Sequence, residues 1–464
     1  VKTARALGLG DVLLAGGVPG PERRAPRLSA RYRRLRPSLV RLLARVDADA
    51  IDREDRVPAA TVSALRRLGA FRLILPRAFG GLGLSHVDAH DAFALIAERS
   101  AGLAMWVTTH QALGAAALVA AAGTAEQRAA LLPRMAAGEL GALALTEEGA
   151  GTDVALIATR ARPAPGGYRL SGRKLWITNA PVARWIAVVA RAPGGLTVFI
   201  VDARAKGVRV ERRCRFLGLR GMENGVVRLT NVFVPEGRRL GAEGDGLRQG
   251  LSSVNAGRLT VAARALGIAR ACRDAARAWT KTRRRRGRPL SAEPAVAARL
   301  TRVDALVARL EAVSARAASW ADAGKVGRTE SALAKLYSAA AVWEAADSVV
   351  QLRGGRGYET ADSQRARGES PVPAERWLRD ARGLRLIEGT DDALRWAVAS
   401  RGLELARAGV REPRAKGPFA SRAGALAAEF RALARVCGKE IPARALELAD
   451  EAARLLADSC ATRV

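Results

Sequence analysis

Cysteine, histidine, lysine and aromatic residues are all scarce in this chain, and each scarcity narrows what it can be. The four cysteines, Cys214, Cys272, Cys437 and Cys460, lie far apart and form no CxxC pair. That spacing argues against a disulfide scaffold or a cysteine-built zinc cluster and for a reducing, cytoplasmic compartment. Only three histidines occur: His86, His90 and His110. The first two have the i, i+4 spacing of a metal pair, but no third ligand lies nearby, so packing or surface roles are expected and no metal site. Aromatics make up 4 % of the residues, and the two densest basic stretches hold one of them, Tyr32. Nucleic-acid recognition therefore has little beyond charge to support it. No run approaches eighteen apolar residues, so a transmembrane helix is not expected. The apolar patch after Val1-Lys2-Thr3-Ala4-Arg5 is broken by Asp11 and gives only weak support to a signal peptide.

What is present is an ordinary globular balance, 49 % hydrophobic and 26 % charged, in 464 residues, enough for two to four domains. The net charge of +32 is carried by arginine: of 77 basic residues only eight are Lys, and the Arg are spread along the whole chain. Such usage reads as genome bias rather than a binding face. Two stretches are denser: Arg23, Arg24, Arg27, Arg31, Arg33, Arg34 and Arg36, and the run Arg283, Arg284, Arg285 and Arg286. Charge of this sign draws the protein toward anionic partners, CoA phosphates and lipid surfaces among them.

Hydrophobic spacing divides the chain into four parts. Residues 1–140 read as helical, with Val62, Leu65 and Leu68 on one face and Gly69 placed to end that helix. Residues 141–243 change period. Turn clusters at Pro163-Ala164-Pro165-Gly166-Gly167 and Pro193-Gly194-Gly195 separate β-forming runs over 168–178, 185–190, 196–201 and 226–234. Strands at this spacing predict a small barrel or sandwich. Residues 244–402 return to the helical period, Leu333, Leu336, Ala340 and Trp343 sharing a face, and predict a bundle. Residues 403–464 hold a linker marked by Pro413, Gly417 and Pro418. Two apolar stripes follow: Leu426, Phe430, Leu433 and Cys437, then Ile441, Ala445, Leu448, Ala452 and Leu455. The expected class is α+β, mainly α. The stripes need a covering surface: the bundle, a second subunit or, with Arg flanking them, a membrane contacted peripherally.

Glu388 carries the strongest chemical signal. It sits in Arg385-Leu386-Ile387-Glu388-Gly389-Thr390-Asp391-Asp392, after Arg376-Trp377-Leu378-Arg379-Asp380-Ala381-Arg382. An acidic side chain between apolar residues and a glycine suits a desolvated carboxylate, and desolvation prepares such a group to remove a proton near neutral pH. Its companions along the chain are Leu143-Ala144-Leu145-Thr146-Glu147-Glu148-Gly149-Ala150-Gly151-Thr152-Asp153, then Gly172-Arg173-Lys174-Leu175-Trp176-Ile177-Thr178-Asn179. Gln351-Leu352-Arg353-Gly354-Gly355-Arg356-Gly357-Tyr358 follows. Pro76-Arg77-Ala78-Phe79-Gly80-Gly81-Leu82-Gly83-Leu84-Ser85 and Gly123-Thr124-Ala125-Glu126-Gln127 precede. In this order and at these separations the motifs resemble the acyl-CoA dehydrogenase family of flavoenzymes, over roughly residues 50–402. The helices after 418 resemble the extension of its very-long-chain branch.

The resemblance implies FAD-dependent α,β-dehydrogenation of a fatty acyl-CoA in β-oxidation. A carboxylate takes the α-proton and flavin N5 takes the β-hydrogen as hydride. Glu388 matches the base. Some members carry the base just before the Arg that matches Arg258, and here that position is Gly257. The backbone N–H of the base, with a ribityl hydroxyl, stabilises the enolate oxygen. Leu143, Leu145, Thr146, Trp176 and Thr178 match positions around the flavin ring, Thr178 toward N5 and Trp176 on the ring face. Arg283, Gln351, Gly354 and Gly355 match the dinucleotide part, and Thr390 and Asp392 further FAD contacts. Thr152, Arg258 and Gly389 match substrate positions. The family also implies an electron-transfer flavoprotein as acceptor, and the extension implies a homodimer.

The sequence departs from the family pattern at Arg286, where Phe is usual, at Pro294, where some branches carry Gln, and at Glu148 and Thr152, which replace Pro and Ser. Two other readings stand beside the dehydrogenase: an acyl-CoA oxidase, differing in how reduced flavin meets oxygen, and a diverged, non-catalytic CoA- or polyanion-binding protein.

Overall fold

The computed structural model of the chain describes residues 9–15, 27–410, 419–437 and 440–461. Residues 1–5, Arg23, Arg24, Pro413, Gly417, Pro418, Gly438 and Lys439 lie outside the described residues. The chain forms two compact units, one of Leu28–Gly257 and one of Val1–Arg27 with Arg258–Val464.

The Leu28–Gly257 unit begins with helices whose starts are written in the sequence. Ser85 and Ser100 accept N–H groups from the first turns of His86–Arg99 and Ala101–Thr108, and Thr124 and Gln127 form a reciprocal capping box for Ala125–Ala136. Gly69 ends Ala59–Leu68 with φ +86°. The stretch Ala101–Ala122 is long and apolar enough to cross a membrane, yet 83 % of its most apolar window is buried within the protein, so here it is core. Thr108, Thr109, His110 and Gln111 break its apolar run in the sequence.

The strands are β1 (Gly141–Ala144), β2 (Arg160–Ala164), β3 (Gly167–Thr178), β4 (Trp185–Ala192), β5 (Gly195–Asp202), β6 (Val208–Arg213), β7 (Asn224–Pro235) and β8 (Arg239–Leu240). They pair in the order β6-β7-β3-β2-β4-β5-β8, with β1 parallel to β4. Val227, Leu229, Val232 and Val234 of β7 share one buried cluster with Phe199 and Val201 of β5 and Ile186 and Val188 of β4. The sheet therefore curls around an inner core, in keeping with the small-barrel expectation. Leu143, Val189, Val198 and Ile200 face the other way, onto Val119, Leu131, Leu132 and Met135 of the helices. Four of the eight strands match the β-forming runs. The others are short or, like β6, arginine-rich, and draw their stability from pairing rather than composition.

The Arg258–Val464 unit is helical. Gly246–Thr282 enters it at Arg258, followed by Pro294–Asp322, Arg328–Arg353, Ala374–Leu384 and Asp391–Arg407. The expectation of one apolar face on Arg328–Arg353 is too narrow. Every residue from Thr329 to Ala339 is buried and Ala340 is exposed, the pattern of a helix enclosed by its neighbours. The C-terminal stripes find their cover in the same unit. Leu426, Phe430, Ala445, Leu448, Ala452 and Leu455 are buried, and the Phe430 ring lies where a Cβ on Gly402 would stand. Arg309 and Arg395 reach Asp458 and Asp450 at 2.7 and 3.0 Å, fastening Ala443–Ala461 to the bundle. The helix Leu9–Leu14 packs here too. Leu13 and Leu14 are buried, and Asp11 accepts from Thr329 and Arg401.

One buried histidine ties the first unit's helices to its sheet. The Gly114 N–H reaches back to the Thr109 carbonyl, widening that turn by one residue, and His110 Nδ1 accepts the Gly141 N–H at 2.8 Å where β1 begins. Burial pushes His110 down to about 4 from 6.5. Below pH 6.5 the unfolded chain therefore takes a proton that the folded chain refuses until about pH 4. His110 should withdraw stability progressively as pH falls across that window, by about 3 kcal/mol in total. Urea unfolding at pH 7, 5.5 and 4.5 should show a slope that His110→Asn flattens; equal slopes would remove His110 from the acid response.

Candidate active site

Two groups of predicted residues assemble in the helical unit and one in the sheet unit. In the sheet unit, β1 delivers Leu143 into the core while Leu145 and Thr146 continue past its end, half-buried. The Thr146 carbonyl accepts the Leu175 N–H at 2.9 Å, which joins this segment to β3. The β3–β7 register slips between Lys174 and Ile177, and Trp176 there has φ +55°. The local twist turns its indole outward, 59 % exposed. Thr178 follows on the same strand, its hydroxyl accepting from Asn224 at 3.1 Å. An outward indole and a hydroxyl two residues apart offer an apolar face and a polar handle to a flat aromatic ligand. Thr152 is exposed on the loop beyond Glu147.

A buried ion pair holds this surface in place. Lys174 Nζ meets Glu147 Oε1 at 2.7 Å and the Leu145 carbonyl at 3.1 Å, and Glu147 also accepts the N–H groups of Ala158 and Thr159. Burial pushes the Lys174 ammonium down to about 8 against the pull of Glu147. Burial works against the Glu147 carboxylate as well, but its lysine and backbone donors outweigh that and hold it below its usual range. Both groups are thus ionised at neutral pH. Glu147 and Lys174 stand inside the quoted motifs without an assigned role. A lysine within a β-forming run was the available signal.

In the helical unit, Glu388 lies in the turn between Ala374–Leu384 and Asp391–Arg407, its side chain 8 % exposed. Its φ is +57°, a left-handed conformation rare outside glycine and stabilised only by surrounding contacts, and Gly389 continues at +102°. Arg258 Nε donates to the Glu388 carbonyl at 2.9 Å, and a Cβ on Gly389 would stand 3.4 Å from that guanidinium. Burial pushes Arg258 down to about 10, against the pull of Glu388. Arg264 Nη2 meets Glu388 Oε1 at 2.9 Å from a position 1 % exposed, while Glu388 Oε2 is buried without a hydrogen-bond partner. Lys335, fully buried, donates to Asp391 at 2.8 Å and to the Arg385 carbonyl, and Arg385 closes on Asp391 from the other side. Thr390 caps Asp391–Arg407 by accepting the Ala393 N–H, and Asp392 is exposed beside Arg395. Arg264 went unremarked in the sequence, although an arginine inside the apolar run Leu259 to Ile268 was its signal.

The second helical group surrounds Gly354, whose φ of +59° and ψ of −135° suit glycine alone. Gln351, Gly354 and Gly355 are exposed, with open space above both glycines. Trp279 donates to the Leu352 carbonyl and carries Arg283, Arg353 and Arg356 about its ring, at 5.8, 4.7 and 5.8 Å. Exposed Arg283 beside open backbone fits a diphosphate. Arg286 occupies the tight hairpin after Arg283 with φ +49°, and Pro294 opens its helix at the first turn, where its missing N–H has no consequence. Among the described residues no cluster of His, Cys, Asp or Glu could hold a metal.

Family models of the acyl-CoA dehydrogenase N-terminal, middle and C-terminal domains match residues 32–139, 142–232 and 244–403. The probable acyl-CoA dehydrogenase FadE10 of Mycobacterium tuberculosis is 40 % identical over 368 residues, covering 77 % of this chain and 57 % of that protein. The chain thus spans little more than half the length of that relative. An acyl-CoA dehydrogenase of Bacillus subtilis is 31 % identical over 76 % of this chain and 92 % of its own. Butyryl-CoA dehydrogenase from Megasphaera elsdenii superimposes with a TM-score of 0.75 at 25 % identity, over 81 % of this chain and 98 % of that one.

The Lys174–Glu147 pair generates a direct test. Lys174→Met leaves Glu147 buried without its counter-charge and should lower stability by about 3–5 kcal/mol in urea unfolding at pH 7. A loss under 1 kcal/mol would show that the backbone N–H groups suffice to hold Glu147.

Proposed function

The chain belongs to the acyl-CoA dehydrogenase family, and from that premise we propose that it catalyses FAD-dependent α,β-dehydrogenation of an acyl-CoA thioester with Glu388 as the base. The observation that carries this reading is Glu388 itself: a buried carboxylate held in a left-handed turn with one oxygen, Oε2, left without a hydrogen bond. An acceptor oxygen kept out of the protein's own hydrogen bonds is what abstraction of a carbon-bound proton requires.

Bound FAD would supply the acceptor for the β-hydrogen, taken as hydride at N5. This chain's residues do the rest. Trp176 would stack on the ring system, Thr178 would donate toward its edge, and the Leu143, Leu145 and Thr146 segment, fastened by Lys174, would border it. Arg283, Gln351, Gly354 and Gly355 would take the diphosphate, with Thr390 and Asp392 as further contacts. Thr152, Arg258 and Gly389 would meet the CoA substrate, and the backbone N–H of Glu388 would donate to the enolate oxygen as the α-proton leaves.

The fatty acyl class, a role in β-oxidation, an electron-transfer flavoprotein as acceptor and a homodimer complete the reading. Its support is family membership and the two added C-terminal helices. Those helices bury most of their stripe residues in their own bundle, Leu433, Cys437 and Ile441 being half-buried, so the stripes give no support to a membrane contact. Four free cysteines fit a cytoplasmic site.

Glu388→Gln should purify yellow and bind acyl-CoA while flavin bleaching by substrate slows about 10²- to 10⁴-fold. Bleaching at the wild-type rate would remove Glu388 as base. Arg283→Ala should lose one charge-assisted contact, weaken FAD binding by about 10- to 100-fold and dissociate more readily in sedimentation. Unchanged flavin content and oligomeric state would leave Arg283 a solvated surface charge.

A further inference from the structure

We propose that Arg264 is the positioning residue of the base: by holding Glu388 through Oε1 it aims Oε2 as the single proton-accepting oxygen. This rests on Glu388 acting as proposed above and adds a requirement that this reading does not contain.

A glutamate at the end of a flexible side chain presents two equivalent oxygens, and free rotation would exchange them. Arg264 breaks that equivalence. Its Nη2 lies 2.9 Å from Oε1, whereas Oε2 is buried with no hydrogen-bond partner. Arg264 is itself among the largest fully buried side chains of the protein. Its guanidinium is steadied one turn back along its own helix by the Thr260 hydroxyl and carbonyl, at 3.3 and 3.4 Å. Glu388 is thus gripped at both ends, its carbonyl by Arg258 and its carboxylate by Arg264. Both arginines project from the helix Gly246–Thr282, so one rigid element registers backbone and side chain together.

The grip bears on the rate rather than on binding. Transfer of a carbon-bound proton is steeply sensitive to the approach of the accepting oxygen, and a misplacement near 1 Å slows such steps by about 10²-fold. A pair formed only for stability would leave that step untouched once the protein is folded.

The test compares Arg264→Met, which keeps length and bulk without charge, with Arg264→Lys, which restores a cation, in purified FAD-loaded enzyme. For Arg264→Met, the rate constant of flavin reduction by acyl-CoA should fall about 10²-fold, with KM within threefold and flavin content unchanged. The deuterium isotope effect with α-deuterated substrate should rise, because carbon–hydrogen cleavage becomes more fully rate-limiting. Arg264→Lys should recover at least tenfold of the lost rate. Should Arg264→Met fail to fold, Arg264→Lys and Arg264→Gln carry the comparison, with Lys the faster. Rates within twofold of wild type in Met or Gln, an unchanged isotope effect, or a Lys variant no better than the neutral one would overturn the proposal. Failure of the base assignment is separate: Glu388→Gln would then bleach at the wild-type rate whatever happens at Arg264.

Discussion

A left-handed turn at a residue other than glycine persists only if its surroundings insist on it. At Glu388 that insistence comes from the helix Gly246–Thr282, which sends Arg258 to the turn's carbonyl and Arg264 to its carboxylate. Lys335 and Arg385 fix the next turn of chain by converging on Asp391, which starts the following helix. The strain of the turn, of order 1–3 kcal/mol, is offset by charge-assisted hydrogen bonds made where water cannot compete. Remove the guanidiniums and the same sequence, Ile387-Glu388-Gly389, has no reason to keep its carboxylate inward. The enclosed helix Arg328–Arg353 serves this arrangement, since Lys335 can act on Asp391 only from a helix surrounded on most sides.

The sheet unit uses the same device at a different place. Lys174 and Glu147 are both buried, and their pairing with the Leu145 carbonyl fixes the segment that leaves β1 against the irregular end of β3. The register slip that turns Trp176 outward would be free to relax without that fixture. In both units a stretch of strained backbone is held from behind by buried charge. Such charge contributes little net stability, and its better-supported role is to specify one conformation.

Residue pattern reveals some of this and conceals the rest for identifiable reasons. Helix starts at Ser85, Ser100 and Thr124 and the stop at Gly69 are local chemistry, and the mainly helical class with a central sheet follows from period alone. The short strands β1, β2 and β8 and the arginine-rich β6 have no such period, because their partners rather than their own residues define them. Glu388 stood out as an acid among apolar neighbours. Arg264 could not be joined to it, since 124 residues separate them and only the fold brings them to 2.9 Å. Positive φ at Trp176 and Glu388 was invisible for a related reason: sequence announces left-handed backbone through glycine, and here tertiary contacts impose it on other residues.

The helix Leu9–Leu14, held through Asp11 by Thr329 and Arg401, makes the helical unit discontinuous in the chain, while the sheet unit runs unbroken from Leu28 to Gly257. On a ribosome the two therefore mature in a set order. The sheet unit has all its strands once Leu240 has emerged and can close while synthesis continues. The helix Leu9–Leu14 is synthesised more than three hundred residues before Thr329 and Arg401, the side chains that receive its Asp11. Its docking is a closure of long contact order set on a bundle otherwise assembled from neighbouring helices.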